Sequence, residues 1–134
     1  MADLSYGYVI GPQVLVTVPV DSTTSDIKRG DLITLDGGYA KQASAGDAVF
    51  GFSVDEAASP SADGDVSISV DVSKSSVYRY PIDTGSVAQS NLTEAAAADA
   101  GGAQSVDVTS PSNNDLRIVA VESDTDTFLV QLSQ

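Results

Sequence analysis

The sequence predicts a mainly β domain: a compact β-barrel or β-sandwich of about seven or eight short strands, with one short helix near residues 92–100. Three observations carry this expectation. "DVSISVDVS" (65–73) alternates polar and apolar residues, the period of a strand with one wet face. Gly, Asp, Ser and Pro clusters recur between the apolar runs, as turns require. A single stretch, "NLTEAAAADAGG" (91–102), has helix composition, with Asn91 or Thr93 to cap its start and Gly101-Gly102 to end it.

The elements follow in order. "VLVTVPV" (14–20) alternates, but Pro19 donates no ladder hydrogen bond and marks an edge strand or a strand end. "DSTTSDIKRGD" (21–31) is a polar loop. "DLITL" (31–35), the "DGG" turn and "YAKQAS" form a hairpin that ends near Ala43. "AVFGFSV" (48–54) is the next strand, with Gly51 marking a bulge or a close backbone approach. In the strand over 65–73, Val66, Ile68, Val70 and Val72 face inward, and Asp65, Ser67, Ser69, Asp71 and Ser73 face water. "VYRYPI" (77–82) continues the sheet, and "QSVDVTS" (104–110) is a further short strand. "LRIVAVES" (116–123) and "TFLVQLS" (127–133) close the chain as a hairpin around the "DTD" turn.

The 134 residues suit one domain, read as an N-terminal arm over 1–12 and a β-rich body over 13–134. The arm holds "SYGYVI" (5–10), an apolar, aromatic piece that must dock on its own sheet or add a strand to a partner. The start of the chain lacks the basic and apolar regions of a signal peptide, and no apolar run is long enough to span a bilayer. The expectation is a soluble protein made in the cytoplasm, with no membrane partner.

Charge is the strongest compositional signal. Nineteen acids, 16 of them Asp, face six bases, for a net charge of −13. Such a surface repels phosphates, so nucleic acid is not expected as a partner. Acidic disorder is disfavoured by the 42% hydrophobic content and its regular alternation. Self-repulsion at −13 is relieved in brine, where the Debye length falls to about 3 Å at about 1 M salt. Many Asp, few Lys and a core of small Val and Ala resemble the proteins of extreme halophiles.

Motifs with chemistry are few. With no Cys and no His, thiol catalysis, zinc-thiolate sites and the usual acid–base catalyst drop out. Carboxylate pairs could hydrolyse glycosides, but the acids sit in turns and on wet faces, and the chain has only eight aromatics. No enzymatic activity, catalytic residue, cofactor or metal is expected. Asp63/Asp65 and Asp124/Asp126 pair hard oxygen ligands as calcium loops do, yet the residues after them turn apolar, which favours plain hairpin turns. "RGD" (29–31) reads as the turn into strand "LITL". Tyr78, Arg79 and Tyr80, near Lys74, form the one patch that mixes positive charge with aromatics; internal charge balance and a contact surface are both open.

"KRGDLITLDGGYAKQASAGDAVFGFSVDEA" (28–57) resembles a pattern of small tailed-phage head decoration proteins, or capsid cement proteins: a "GD-apolar" strand, a glycine turn, an alanine-rich return and a "V-x-G-apolar" strand. "VSISVDVSKSSVYRYPID" (66–83) is similar to the strand of lambda-like decoration proteins that carries a Lys-Ser pair and then aromatic-Arg-Tyr. The resemblance covers residues 28–83, and the segment from Ser90 onwards does not follow it. It implies a non-enzymatic virion protein on the outer capsid surface, commonly a homotrimer at three-fold positions, bridging subunits of the major capsid protein through an ordered N-terminal arm. Combined with the acidity, it implies a virus of a halophilic host. The interface residues it suggests are Leu4, Ser5, Tyr6, Gly7, Tyr8, Val9 and Ile10, with Tyr78, Arg79 and Tyr80 at a subunit contact. The alternatives are a ligand-binding β-domain of a virion spike, tail or cell-surface assembly, which would show a concave aromatic pocket, and a carboxylate hydrolase, which would show two buried acids in one cleft.

Overall fold

A computed structural model describes residues 6–92, 98–102, 104–108 and 115–133. Among them, eleven strands form three sheets. The first sheet has four strands: β1 (Gly7–Ile10), β7 (Val77–Pro81), β11 (Thr127–Leu132) and β10 (Leu116–Glu122), in the order β1-β7-β11-β10. The second has five: β2 (Leu15–Pro19), β6 (Ser67–Asp71), β5 (Gly51–Ser53), β3 (Leu32–Asp36) and β4 (Tyr39–Gln42), in the order β2-β6-β5-β3-β4. Every pairing within these two sheets is antiparallel. A ribbon of β8 (Asp99–Gly102) and β9 (Ser105–Asp107) completes the set. Neither large sheet closes on itself, and the architecture is a β-sandwich rather than a barrel.

Two cores follow from the strand period. Leu32 and Ile33 are successive residues of β3, so they point to opposite faces, yet both are fully buried. Leu32 joins Phe52, Tyr78, Tyr80, Phe128 and their neighbours in a core shared by the two large sheets and the ribbon. Ile33 joins Val18, Val20, Ile27, Ala40, Ile68 and Val70 in a second, purely aliphatic core. The second core arises because the five-stranded sheet curls. Val20, just past β2, reaches Ala40 of β4 through one parallel bridge, and Asp21 N–H bonds the Ala40 carbonyl at 2.9 Å.

Most strands form where alternation placed them, and the closing hairpin β10–β11 turns at the "DTD" sequence, where Asp126 adopts φ 53°. Gly51 is a close approach: a Cβ there would stand 2.5 Å from the Asp71 carbonyl oxygen. Several expectations are corrected. The helix near 92–100 falls partly on residues 93–97, outside the described residues, and the rest of that stretch is extended. Ala98 bridges Leu116 and Asp99–Gly102 is β8. Ala98 and Ala100 are fully buried, small enough to let the ribbon lie flat on the core, and this packing overrides their helix propensity. The single helical turn described, Gln89–Asn91, is 3-10.

The second correction is Asp71, expected on a wet face and found fully buried. In register it lies between Leu15 and Phe52, on the face of the five-stranded sheet that the first core covers. Val66, expected to face inward, is 41% exposed, because it precedes the paired part of the strand. The third correction concerns Tyr78 and Tyr80. Both are 0% exposed and belong to the core, so of the expected Tyr78–Arg79–Tyr80 contact patch only Arg79 reaches the surface. The period of two sends the tyrosines inward and the arginine outward.

Candidate functional site

Two neighbouring features stand out, and both are built by the N-terminal strands. β1 and β2 are terminal strands of different sheets and are consecutive in the chain. Along them runs an apolar ridge: Ile10 is 65% exposed, Val14 54% and Leu15 52%, flanked by the partly exposed Tyr8 and Val16. Scattered apolar residues on a surface are ordinary; several exposed apolar residues close together in sequence on two terminal strands set this region apart.

The ridge is held rigid from below. Tyr78 stacks on Phe52 with ring centroids 3.9 Å apart, and the Tyr8 ring meets Tyr78 edge-on at 5.5 Å. The Tyr78 hydroxyl donates to an Asp71 carboxylate oxygen at 2.9 Å and accepts from the Gln13 amide at 3.0 Å. Asp71 also takes the N–H groups of Val14 (3.1 Å) and Ser73 (2.9 Å). One buried carboxylate thus ties the β1–β2 connection to β6 and β7. Burial, and next the Asp71 charge, push the Tyr78 phenol well above its ordinary range, which keeps it protonated as the donor Asp71 requires. The connection itself passes close to the chain after β6: a Cβ at Gly11, whose φ is 103°, would stand 2.4 Å from the Ser75 carbonyl oxygen.

Beside the ridge is a cleft of about 620 Å³. Its walls include Tyr6, Tyr8, Gln13, Lys28, Arg29, Glu56 and Arg79. The Lys28–Asp31 turn is fixed in place. The Asp31 carboxylate accepts from the Lys28 N–H at 2.9 Å and from the Gln42 amide at 2.7 Å; Gly30 N–H bonds the Ser53 carbonyl at 2.7 Å; and the Tyr80 hydroxyl donates to the Gly30 carbonyl. Asp31 is fully buried, so the Arg-Gly-Asp sequence presents only its arginine. Burial raises the Asp31 carboxyl above its ordinary range, against the pull of its hydrogen bonds. Arg79 is spent differently: it forms a bidentate pair with Glu122 at 2.7 and 3.0 Å, and this pair lowers the Glu122 carboxyl.

The sequence-predicted residues divide between these features. Tyr6 and Tyr8 line the cleft, and Gly7–Ile10 form β1, paired with β7 in the register Gly7–Arg79 and Tyr8–Tyr78. Leu4 and Ser5 lie outside the described residues. Asp63 and Asp65 act as turn acceptors, Asp63 for the Ser22 N–H at 2.8 Å and Asp65 for the Ser61 hydroxyl at 3.3 Å; Asp126 takes the Val87 N–H at 3.2 Å. Among the described residues, no three acids converge as metal ligands would. The sequence reading passed over Gln13, Val14, Leu15 and Val16. The signal was present: "VLV" is three consecutive apolar residues, which one buried face cannot absorb. It also missed Glu122, since nothing in a sequence places a carboxylate 43 positions away opposite Arg79. No protein-family model, no curated protein and no solved structure matches this chain.

Proposed function

We propose that this protein is a non-enzymatic capsid decoration protein of a tailed virus, adapted to brine, which stabilises the outer shell by bridging subunits of the major capsid protein. The observation that carries the proposal is the rigid, uncharged ridge from Tyr8 to Val16 on a molecule of net charge −13. An acidic surface keeps the protein dissolved; an apolar strip without a single charge on it is where it attaches. The resemblance over residues 28–83 supplies the class of partner, and the ridge supplies the surface. The work is done by area and shape. Each contact is modest, but a multivalent clamp on a repeated lattice gains from effective concentration. A homotrimer on the outer virion surface fits this mode of action.

The test is stoichiometry in purified particles of the virus that encodes the chain. The expected result is a copy number on the scale of the lattice positions, with release of the protein when Val14 and Leu15 are both replaced by Lys. A handful of copies per particle would overturn the proposal. The brine component is tested separately: the melting temperature should rise from about 0.1 M to about 3 M KCl as repulsion is screened and burial strengthened. A flat or falling curve removes the halophilic host and leaves the lattice role standing.

A further inference from the structure

The distribution of positive charge points to a second surface with a different partner chemistry. The chain has six basic residues, and three of them, Lys28, Arg29 and Arg79, line one cleft. Glu56 is the only acid on its walls. Arg79 is neutralised by Glu122, but Lys28 and Arg29 form no ion pair among the described residues. These two exposed cations sit side by side on a turn that four hydrogen bonds hold still, with the Lys28 charge partly offset by the buried Asp31 carboxylate and Arg29 without an ion pair among the described residues.

We propose that this cleft is a binding site for a short acidic segment of a partner protein, whose carboxylates pair with Lys28 and Arg29. Three observations support that occupant. First, three of the six basic residues gather on this one cleft, so a ligand with two or three carboxylates gains from it, while a long polyanion such as nucleic acid would lay most of its phosphates along a molecule of net charge −13 and be repelled. Second, the site is preorganised: the Lys28–Asp31 backbone is already fixed and the Gln13 amide is held on Tyr78, so little ordering remains to be done on binding. Third, Gly7 and Tyr8 of the cleft wall belong to a terminal strand, and the volume of about 620 Å³ suits a few residues of extended chain. The cleft shares Tyr8 and Gln13 with the ridge but its walls do not include Val14, Leu15 or Val16, so substitutions at those three positions separate this site from the lattice role proposed above.

The experiment is fluorescence anisotropy with the intact protein and a rhodamine-labelled peptide of alternating Glu and Val. It is run at the lowest KCl concentration at which thermal unfolding remains cooperative. The Glu peptide should bind saturably and a Gln–Val peptide should not. The double substitution K28Q/R29Q should weaken binding by about tenfold or more, while K74Q/R117Q, which changes net charge equally at positions outside the cleft, should leave it within about twofold. Melting temperatures of both variants should stay near that of the parent, because all four side chains act at the surface. Equal weakening by the two variants would show a field effect without a site and would overturn the proposal. So would equal binding of the Gln peptide, absence of saturable binding, or displacement by polygalacturonate at matched carboxylate concentration, which would assign the cleft to an anionic glycan instead.

Discussion

Each large sheet has two edges, and they are built differently. At one end, β4 carries Lys41 and is partly covered by the Val20–Ala40 bridge, while β10 carries the exposed Arg117. At the other end, β1 and β2 present Ile10, Val14, Leu15 and Val16 with no charge among them. Charged or covered edges are how β proteins avoid pairing with other chains. The Val20–Ala40 bridge covers the far end of β2 as well as β4, and the exposed stretch from Tyr8 to Val16 is the edge region that carries no charge, in keeping with the proposed attachment surface. The same contrast exists inside β2. Val18 and the following Val20 are buried where the sheet curls towards β4, and Val14 and Val16 are exposed where it does not.

Six substitutions would break or sharpen this contrast. The largest effect is expected from Tyr78→Ala, because Tyr78 lies beneath both open edges, against Tyr8, Phe52, Asp71 and Gln13. A loss of about 3–5 kcal/mol is expected in denaturant unfolding, together with collapse of the ridge. Next is Asp71→Ala, which strands the Val14 and Ser73 N–H groups and the Tyr78 hydroxyl; the cost is about 2–3 kcal/mol. Amide exchange should then accelerate at Val14 and stay slow at Leu116 and Ala40. If protection fell equally at all of these positions, Asp71 would not be specific to the open side.

Third, Leu15→Lys should change stability by no more than about 0.5 kcal/mol, since the side chain is half exposed, while abolishing the proposed attachment. The converse, Arg117→Val, strips a protected edge and should induce association that light scattering detects. The smallest effect concerns the Arg79–Glu122 pair, which spans β11 on the protected side. The Glu122 carboxyl is held below its ordinary value of 4.5, so its contribution is complete above that pH and is lost as pH falls through the folded-state value. With both side chains about 30% exposed, the contribution is at most about 1 kcal/mol. The stability difference between the parent and Glu122→Gln should vanish on acidification. Asp31 and Asp115 act in the opposite direction. Burial raises both carboxyls above 3.8, so ionising them costs stability as pH rises from 3.8 through their folded-state values. Asp31→Asn should flatten that part of the profile.

Much of this was legible beforehand. The strands over 15–19, 32–36, 67–71, 77–81, 116–122 and 127–132 lie where alternation put them, because a period of two is a local property of the chain. The site was legible only in part. "SYGYVI" announced itself as apolar chain needing a dock, but the cations opposite it, Lys28 and Arg29, looked like any polar loop. Their significance depends on their lining one cleft with Tyr6 and Tyr8, a relation between segments about 20 positions apart.

By itself, then, the sequence determined the β class, the positions of most turns, the anionic exterior and the absence of thiol and imidazole chemistry, since each of these is set by composition or by neighbours along the chain. The tertiary structure alone decided which polar faces would be dry. Asp71 and Ser69 occupy equivalent places in one alternating pattern, yet only Asp71 lies under Tyr78 and is sealed from water. It likewise turned the stretch at 98–102 into a strand, hid Tyr78 and Tyr80, and placed β1 and β2 at the ends of their sheets. Alternation says that a strand has two faces; only the packing of one sheet on another says what covers each of them.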